Sequence, residues 1–540
     1  MRRSDTIKGN IFSAVEKLAL NPGRSALGVL SGLLLALSFP KAEVGLLAWV
    51  GLVPLVEACS AAPLGRVFRL GWLQGFVFNL ASLYWIVITL DRFAGLKPIF
   101  AVIPLVLLAA LLALYTALAT WAAEFTARRL SLSIGFTWPL AWTAAEWLRT
   151  YFPIGFPWNL LGYSAYRNLE VIQVAELTGI YGVSALIVFF NCVLWMVVFR
   201  RQTRREQTLA LGTLTFVMVA VVFFGAARLR ELRAMTSAGS LKVGMVQGNI
   251  PQGLKWDPGF LASSFEVYAE QTRFAARAGA QLVIWPETAA AFLFQASDRY
   301  PAGLALDAVY RARLLALARE ARAPILFGAP ALAKADDSEA GFYNRVYLVS
   351  AAGTVVSYYD KMQLVPFGEY VPLAPLLGTF VKRLVHGFGD LRAGKRQTIF
   401  AVGGARLAVL ICYESIFPEL ARAAALKHAD LLVNITNDSW YGRSSAPYQL
   451  LAMAAVRSVE TRLPMVRVAN TGISAVIQPT GETTAQTPLF SRGTEVETVA
   501  LARAATFHTL VGDLFAEACL VGAAVLALLG WLRPRRSMTV

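Results

Sequence analysis

Seven long apolar runs crowd into the first 228 residues and an eighth into the last 30, a distribution that calls for a membrane rather than a larger soluble core. The runs are Ser25 to Phe39, Val44 to Cys59, Leu70 to Leu90, Ile99 to Ala123, Ile134 to Trp147, Ala175 to Phe199, Leu209 to Ala227 and Leu514 to Leu532. The first, second and fifth fall short of the ~20 residues that a bilayer core demands, so they must tilt, thin the bilayer or borrow flanking residues. Apolar residues make up 56% of the chain and charged residues 16%. Averages are about 45 to 50% and about 25%, so disordered, collagen-like and coiled-coil classes are excluded.

Lys and Arg concentrate in cytoplasmic loops, and their positions give the runs a direction. Clusters lie before the first run (Arg2, Arg3, Lys8, Lys17, Arg24), between the second and third (Arg66, Arg69), after the fourth (Arg128, Arg129), after the sixth (Arg200, Arg201, Arg204, Arg205) and after the eighth (Arg533, Arg535, Arg536). Every second loop is basic, and this alternation requires Ile134 to Trp147 to cross. Eight spans with both termini in the cytoplasm are therefore expected. Leu27 to Phe39 leads into Pro40 and Lys41 without a small-residue cleavage pattern, which reads as an anchor rather than a signal peptide. The net charge of +16 then fits anionic lipid surfaces and positive-inside loops, not nucleic acid.

From about Arg228 to Gly512 the composition is that of a soluble domain of about 285 residues, placed by parity outside the cytoplasm. The expected division is a membrane domain of seven transmembrane helices over 1–228, an extracytoplasmic α/β domain over 229–512, and a last transmembrane helix with a basic cytoplasmic tail over 513–540. Leu241 to Val246, Gln281 to Ile284, Ile325 to Phe327, Val346 to Val349, Leu407 to Ile411, Leu431 to Ile435 and Met465 to Val468 read as strands. Phe260 to Arg277, Tyr310 to Arg319 and Pro418 to Leu426 read as helices between them, an α/β layered pattern. Four scattered cysteines (Cys59, Cys192, Cys412, Cys519) show no CxxC pair and no metal-type spacing, so neither a disulfide framework nor a structural metal is expected.

One of those cysteines stands where chemistry is done. Leu407 to Ile411 stops at Cys412-Tyr413-Glu414-Ser415 before Pro418 opens a helix. A strand-to-helix turn holds a nucleophile rigid, with backbone N–H groups nearby for an oxyanion. A free cysteine also fills buried space without reacting, and position alone leaves both readings open. A nucleophile needs a base, yet the three histidines (His386, His428, His508) sit at no strand end beside a polar cluster, which points to a carboxylate. Glu287 closes the strand Leu282 to Ile284 after Trp285-Pro286, at a C-terminal sheet edge where open α/β sheets place ligands. Lys361 lies in the polar-aromatic loop from Asp360 to Tyr370, which follows the strand pair around Tyr347 and Val356. A lysine beside a carboxylate can stabilise an oxyanion and a thiolate. Singly, Glu287 and Lys361 also fit surface or capping roles.

Trp285-Pro286-Glu287, Lys361 and Cys412-Tyr413-Glu414 occur in the order and context of the Glu, Lys, Cys triad of the nitrilase superfamily. With the apolar runs added, the chain resembles the apolipoprotein N-acyltransferases, the membrane-embedded members of that superfamily, over nearly its full length. The likeness extends to Gln247-Gly248-Asn249-Ile250-Pro251-Gln252, Lys255-Trp256-Asp257, Val365-Pro366-Phe367-Gly368-Glu369-Tyr370-Val371-Pro372 and Asn434 to Gly442. It implies a membrane α-helical bundle of about eight spans joined to a nitrilase-like four-layer αββα sandwich. It also implies acyl transfer from the sn-1 position of a phospholipid, phosphatidylethanolamine, to Cys412, and from that thioester to the α-amino group of an S-diacylglyceryl-cysteine apolipoprotein.

In the implied roles Glu287 is the general base, Lys361 holds the oxyanion and Cys412 is the nucleophile. Glu369 orients Lys361 or shares a proton, Tyr413 and Glu414 fix the nucleophile's turn, and Trp256 gates lipid entry. No cofactor and no metal are implied, and the expected protein is a monomer in the bacterial inner membrane with its catalytic domain in the periplasm. Trp440 and Tyr441 fit either an acyl pocket or core packing, and Arg167 could meet a lipid phosphate. Two competing readings are a membrane-anchored nitrilase-type amidohydrolase, in which water replaces the amine, and a transporter with an inactive nitrilase-like domain. The few ionisable groups in the runs, Glu57, Glu146, Glu176 and Glu517, lie near run ends, which disfavours the transporter.

Overall fold

A computed structural model describes residues 22–93, 95, 97–153, 155–199, 203–235, 237–295, 305–333, 341–370, 391–503 and 505–534. Helix forms in each of the eight apolar runs. The segments are Pro22–Ser38, three short pieces between Gly45 and Cys59, the pair Leu64–Ser82 and Trp85–Phe93, then Pro98–Leu130, Ile134–Tyr151, Ile180–Phe199, Arg204–Ala234 and Leu514–Leu532. Among the described residues, Pro98–Leu130, Ile180–Phe199, Arg204–Ala234 and Leu514–Leu532 are the helices long and apolar enough to cross a membrane by themselves, with a fifth span if the pair is taken together. The expected count of eight is therefore not reached on length and composition. At 1.5 Å per residue, a helix like Pro22–Ser38 spans about 26 Å, short of a hydrocarbon core of about 30 Å.

Besides the second run, which is broken into three pieces, two others differ from the reading of continuous helix. The third bends by 50° where Leu64–Ser82 gives way to Trp85–Phe93. The sixth becomes continuous only at Ile180, because Gly179 takes φ +63°, a left-handed conformation that ends the short helix Ala175–Thr178. The seventh continues to Ala234 before the first strand begins.

Arginines gather several helix ends at one face. Arg24 donates to the carbonyls of Ala58 (2.8 Å) and Ser60 (2.7 Å), Arg128 to that of Cys59 (2.9 Å), and Arg129 to that of Gly530 (3.0 Å). Opposite ends meet the α/β domain: Gln449 donates to the carbonyls of Pro40 and Ser82 (3.1 Å each), and Glu460 accepts from the Ile180 N–H (2.9 Å). Tyr151 reaches Asp513, the cap of the last helix, at 2.7 Å. Arg2, Arg3, Lys8, Lys17, Arg200, Arg201, Arg535 and Arg536 lie outside the described residues.

The α/β domain has twelve strands among the described residues: β1 (Ser240–Gln247), β2 (Leu282–Ile284), β3 (Ile325–Leu332), β4 (Phe342–Val349), β5 (Val355–Asp360), β6 (Ile399–Val402), β7 (Ala405–Ile411), β8 (Leu431–Thr436), β9 (Met465–Ala469), β10 (Ala475–Ile477), β11 (Thr483–Thr484) and β12 (Gly493–Ala500). They form two six-stranded sheets, ordered β12-β1-β2-β3-β4-β5 and β11-β10-β9-β8-β7-β6. The inner strands β1 to β3 and β7 to β9 run parallel, with antiparallel strands at the edges. Strand alternation divides the first sheet's side chains between two cores. Leu241, Val243, Met245, Leu282 and Ile284 share a core with β7 to β9 of the second sheet. Val246, Val283, Ile325 and Phe327 pack under helices Leu261–Arg277 and Ala305–Ala321. Helices Pro418–Leu426 and Ala446–Thr461 lie against the second sheet, completing αββα layering. All seven expected strands and three expected helices are present; β6, β10, β11 and β12 were not anticipated.

Candidate active site

Three strand ends converge between the sheets. Beyond β2, Trp285-Pro286 leads to Glu287 and then to Thr288, whose φ of +47° turns the chain back over β3. Gly328 of β3 permits this, because a Cβ there would stand 2.4 Å from the Thr288 nitrogen. Lys361 follows β5 directly. Cys412 follows β7, takes φ +50°, and starts a 3₁₀ turn over Cys412–Ile416 before Pro418 opens its helix. A non-glycine residue held in the left-handed region is uncommon, and such strain concentrates at functional turns.

Glu287, Lys361 and Cys412 are 6%, 1% and 4% exposed, so their charges act on one another with little solvent screening. Lys361 Nζ lies 2.8 Å from Glu369 Oε1 and 3.5 Å from Glu287 Oε1. Burial alone would lower the Lys361 pKa, but Glu369, Glu287 and Cys412 outweigh it and raise it. The Cys412 thiol is pushed up to about 12 by burial and then by the Glu287 carboxylate, with Lys361 pulling the other way. At neutral pH the set therefore rests as thiol and ammonium. Such an arrangement does acyl chemistry only if the thiol proton leaves as the sulfur attacks.

Glu287 is held from several sides. Asn344 Nδ2 donates to Oε1 (2.7 Å) and the Asn437 N–H to Oε2 (2.9 Å), while Lys255 Nζ donates to the Glu287 carbonyl (3.0 Å) and to Thr288 Oγ1 (2.6 Å). Glu369 accepts from Lys361 and, with its other oxygen, from the Val365 N–H (2.9 Å), which fixes the lysine's orientation. Glu414 accepts from the N–H groups of Ile411 (2.7 Å), Met362 (2.6 Å) and Gln363 (3.1 Å) and from the Tyr359 hydroxyl (2.9 Å). One carboxylate thus ties the end of β7 to the lysine loop. Burial pushes it up to about 7 against those donors.

Tyr413 packs on Phe417 (ring centroids 5.0 Å apart) and reaches Trp158, in the loop after the helix Ile134–Tyr151, at 6.3 Å. Trp440 meets Phe93 edge-on at 4.8 Å and Tyr441 meets Trp85 at 5.1 Å, so this pair joins the two domains. Trp256 is half-buried in the loop between β1 and the 3₁₀ turn Pro258–Phe260. Arg167 pairs with Glu43 at 2.7 Å. His428 is exposed, His508 pairs with Asp513 at 3.0 Å, and His386, Val371 and Pro372 lie outside the described residues. Asn344, Asn437 and Lys255 were not singled out as site residues by sequence. Asn437 and Lys255 fall within short motifs already noted, whereas Asn344 on β4 carries no local signal.

The family described as "Apolipoprotein N-acyltransferase N-terminal domain" matches residues 31–193, and "Carbon-nitrogen hydrolase" matches residues 242–509. An apolipoprotein N-acyltransferase from Geobacter metallireducens is 40% identical over 94% of this chain and 95% of its own length. The enzyme of the same name from Brucella suis is 34% identical, covering 87% of this chain and 88% of its own. A crystal structure of an amidase from Nesterenkonia sp. aligns with 51% of this chain and 92% of that one, at 21% identity and a TM-score of 0.36.

Proposed function

The chain belongs to the apolipoprotein N-acyltransferase family, and from that premise we propose how its buried Glu, Lys, Cys set carries out lipoprotein N-acylation. Glu287 takes the proton from Cys412 as sulfur attacks the sn-1 ester carbonyl of a phospholipid, phosphatidylethanolamine. Lys361 and the backbone N–H after the nucleophile hold the tetrahedral oxyanion. The lysophospholipid oxygen leaves with the proton from Glu287, and a thioester remains. The α-amino group of an S-diacylglyceryl-cysteine lipoprotein then attacks, gives a proton to Glu287, and forms the amide as Cys412 regains a proton. The observation that carries this reading is a buried thiol at a strand end, held up by burial and the Glu287 carboxylate, with that carboxylate 3.5 Å from the fixed Lys361 ammonium. Trp256 gates lipid entry. Glu369, Tyr413 and Glu414 serve as supports.

Lys361→Met keeps the aliphatic stem and removes the charge. Both half-reactions pass through an oxyanion, so acylation by phospholipid and discharge to the amine are each expected to fall about 10²- to 10³-fold, the loss typical of one donor. Single-turnover measurement of each step checks this. Normal acylation with failure only toward the amine would recast Lys361 as an acceptor-binding residue.

The protein is a membrane protein of the bacterial inner membrane. Its finer disposition is eight crossings with both termini cytoplasmic, the domain 229–512 in the periplasm, and a single chain as the working unit. The arginine-rich face around Arg24, Arg128 and Arg129, opposite the helix ends that meet the α/β domain, supports this reading. In a background without native cysteines, single cysteines replacing Ser237 and Arg201 are expected to react with an impermeant thiol reagent from opposite sides, Ser237 from the periplasm. Labelling of both from one side would show that Arg204–Ala234 does not cross.

A further inference from the structure

The loop that carries Trp256 also grips Glu287 from two directions. Lys255, 3% exposed, donates to the Glu287 carbonyl (3.0 Å) and to Thr288 Oγ1 (2.6 Å). Three residues earlier, Gln252 Oε1 accepts from Asn437 Nδ2 (2.6 Å), and the N–H of the same Asn437 donates to Glu287 Oε2 (2.9 Å). The loop's start is pinned by Asn470, whose amide exchanges bonds with the Ile250 carbonyl (2.8 Å) and N–H (3.0 Å) and also donates to Asn437 Oδ1 (3.1 Å). One short segment, 250–256, therefore touches the backbone of Glu287 directly and its carboxylate through one intermediary.

The chemistry of Lys255 is unusual for a structural lysine. Among the described residues its amine hydrogen-bonds no carboxylate, and burying a charge without such a partner is costly. Burial pushes it down to about 7, against the pull of Glu287. A neutral amine has two N–H donors, and the carbonyl and hydroxyl use both. Its acceptors lie on the turn at Thr288, whose φ of +47° is unfavourable for a β-branched residue, so the contact holds a strained turn in place.

We infer that Lys255 and Gln252 are positioning residues for Glu287, which makes alignment of the base depend on the seating of the Trp256 loop. The inference rests on Glu287 being the base of the proposed reaction. A lipid that unseats the loop would misalign the base, and one that lets it close would restore it. Proton transfer is thereby confined to the seated state.

The test uses the full-length protein in nanodiscs containing phosphatidylethanolamine, with thioester formation on Cys412 followed by intact mass in a single turnover. Lys255→Met is expected to lower the maximal acylation rate constant about 10²-fold, the cost of misplacing a reacting group by about 1 Å. The lipid concentration for half-maximal rate is expected to stay unchanged, a split that loss of folded protein would not produce. Thr288→Val removes the same contact from the other side, so adding it to Lys255→Met is expected to cost nothing further. Gln252→Leu, which leaves Lys255 in place, is expected to lower the same rate constant about tenfold and keeps the test open if Lys255→Met does not fold. Wild-type rate constants in Lys255→Met, or in Gln252→Leu and Thr288→Val, would overturn the inference, as would a fall matched by weaker lipid dependence. No adduct on the unmutated protein would instead overturn the thioester route and this inference with it.

Discussion

Cys412→Ser is expected to reduce transfer to background while the protein still inserts and folds. The substitution changes one buried atom, and the hydrogen bonds that fix the turn, from Ile411, Met362 and Gln363 to Glu414, involve no Cys412 side-chain atom. A hydroxyl at this position has no activation strong enough to replace a thiol, whose proton is far easier to remove. Transfer of radiolabelled acyl chains to a diacylglyceryl peptide measures the loss, and substantial activity in the serine variant would exclude the thioester route. Cys59, Cys192 and Cys519 lie in membrane-domain helices and are expected to be dispensable. Burial and Glu287 hold the Cys412 thiol up to about 12. Its alkylation by a neutral reagent is therefore expected to keep rising with pH beyond the range near 8.5 where an ordinary cysteine levels off.

Glu287→Gln is expected to slow thioester formation by at least the ~10²- to 10⁴-fold typical of a lost general base. The surroundings make this substitution less innocent than its shape suggests. Asn344 donates to one carboxylate oxygen at 2.7 Å and the Asn437 N–H to the other at 2.9 Å, so the new amide NH₂ must face a donor whichever way it turns. It also withdraws a negative charge 3.5 Å from Lys361 Nζ. Rapid-quench measurement of the acyl adduct checks the rate. A Gln variant that acylated as fast as the unmutated protein would remove Glu287 from proton transfer.

Glu287 and Cys412 stood out because each follows an apolar strand, and short buried strands announce themselves as continuous apolar runs bounded by turn residues; Lys361 follows the half-exposed strand Val355–Asp360 and was marked by its polar-aromatic loop. Glu369 beside Lys361 and Glu414 beside the nucleophile's turn were singled out as supports, but their partners distant in the chain were not legible. Asn344 sits 57 residues from Glu287, and Tyr359 55 residues from Glu414, and nothing local marks either contact. Strand β12, Gly493–Ala500, alternates threonine, glutamate and valine along a sheet edge, so its side chains resemble a polar loop until pairing with β1 is seen. The third apolar run hid its bend. Continuous hydropathy from Leu70 to Leu90 gave no hint that Tyr84 accepts a hydrogen bond from the Ser445 N–H at 3.2 Å, or that Trp85 packs on Tyr441. For the same reason Trp440 and Tyr441 could not be resolved by sequence between an acyl pocket and packing; their partners are helices far away in the chain.

In the proposed route, phospholipid leaves its acyl chain on Cys412 before any lipoprotein is present. Intact-mass analysis of the purified full-length protein, incubated with phosphatidylethanolamine and no acceptor, tests it most directly. The expected result is a gain of one acyl group, located on Cys412 by peptide mapping, labile to hydroxylamine and discharged on adding an S-diacylglyceryl-cysteine peptide. A protein that transfers acyl chains steadily to that peptide yet never carries the adduct on Cys412, even when rapidly quenched, would contradict it.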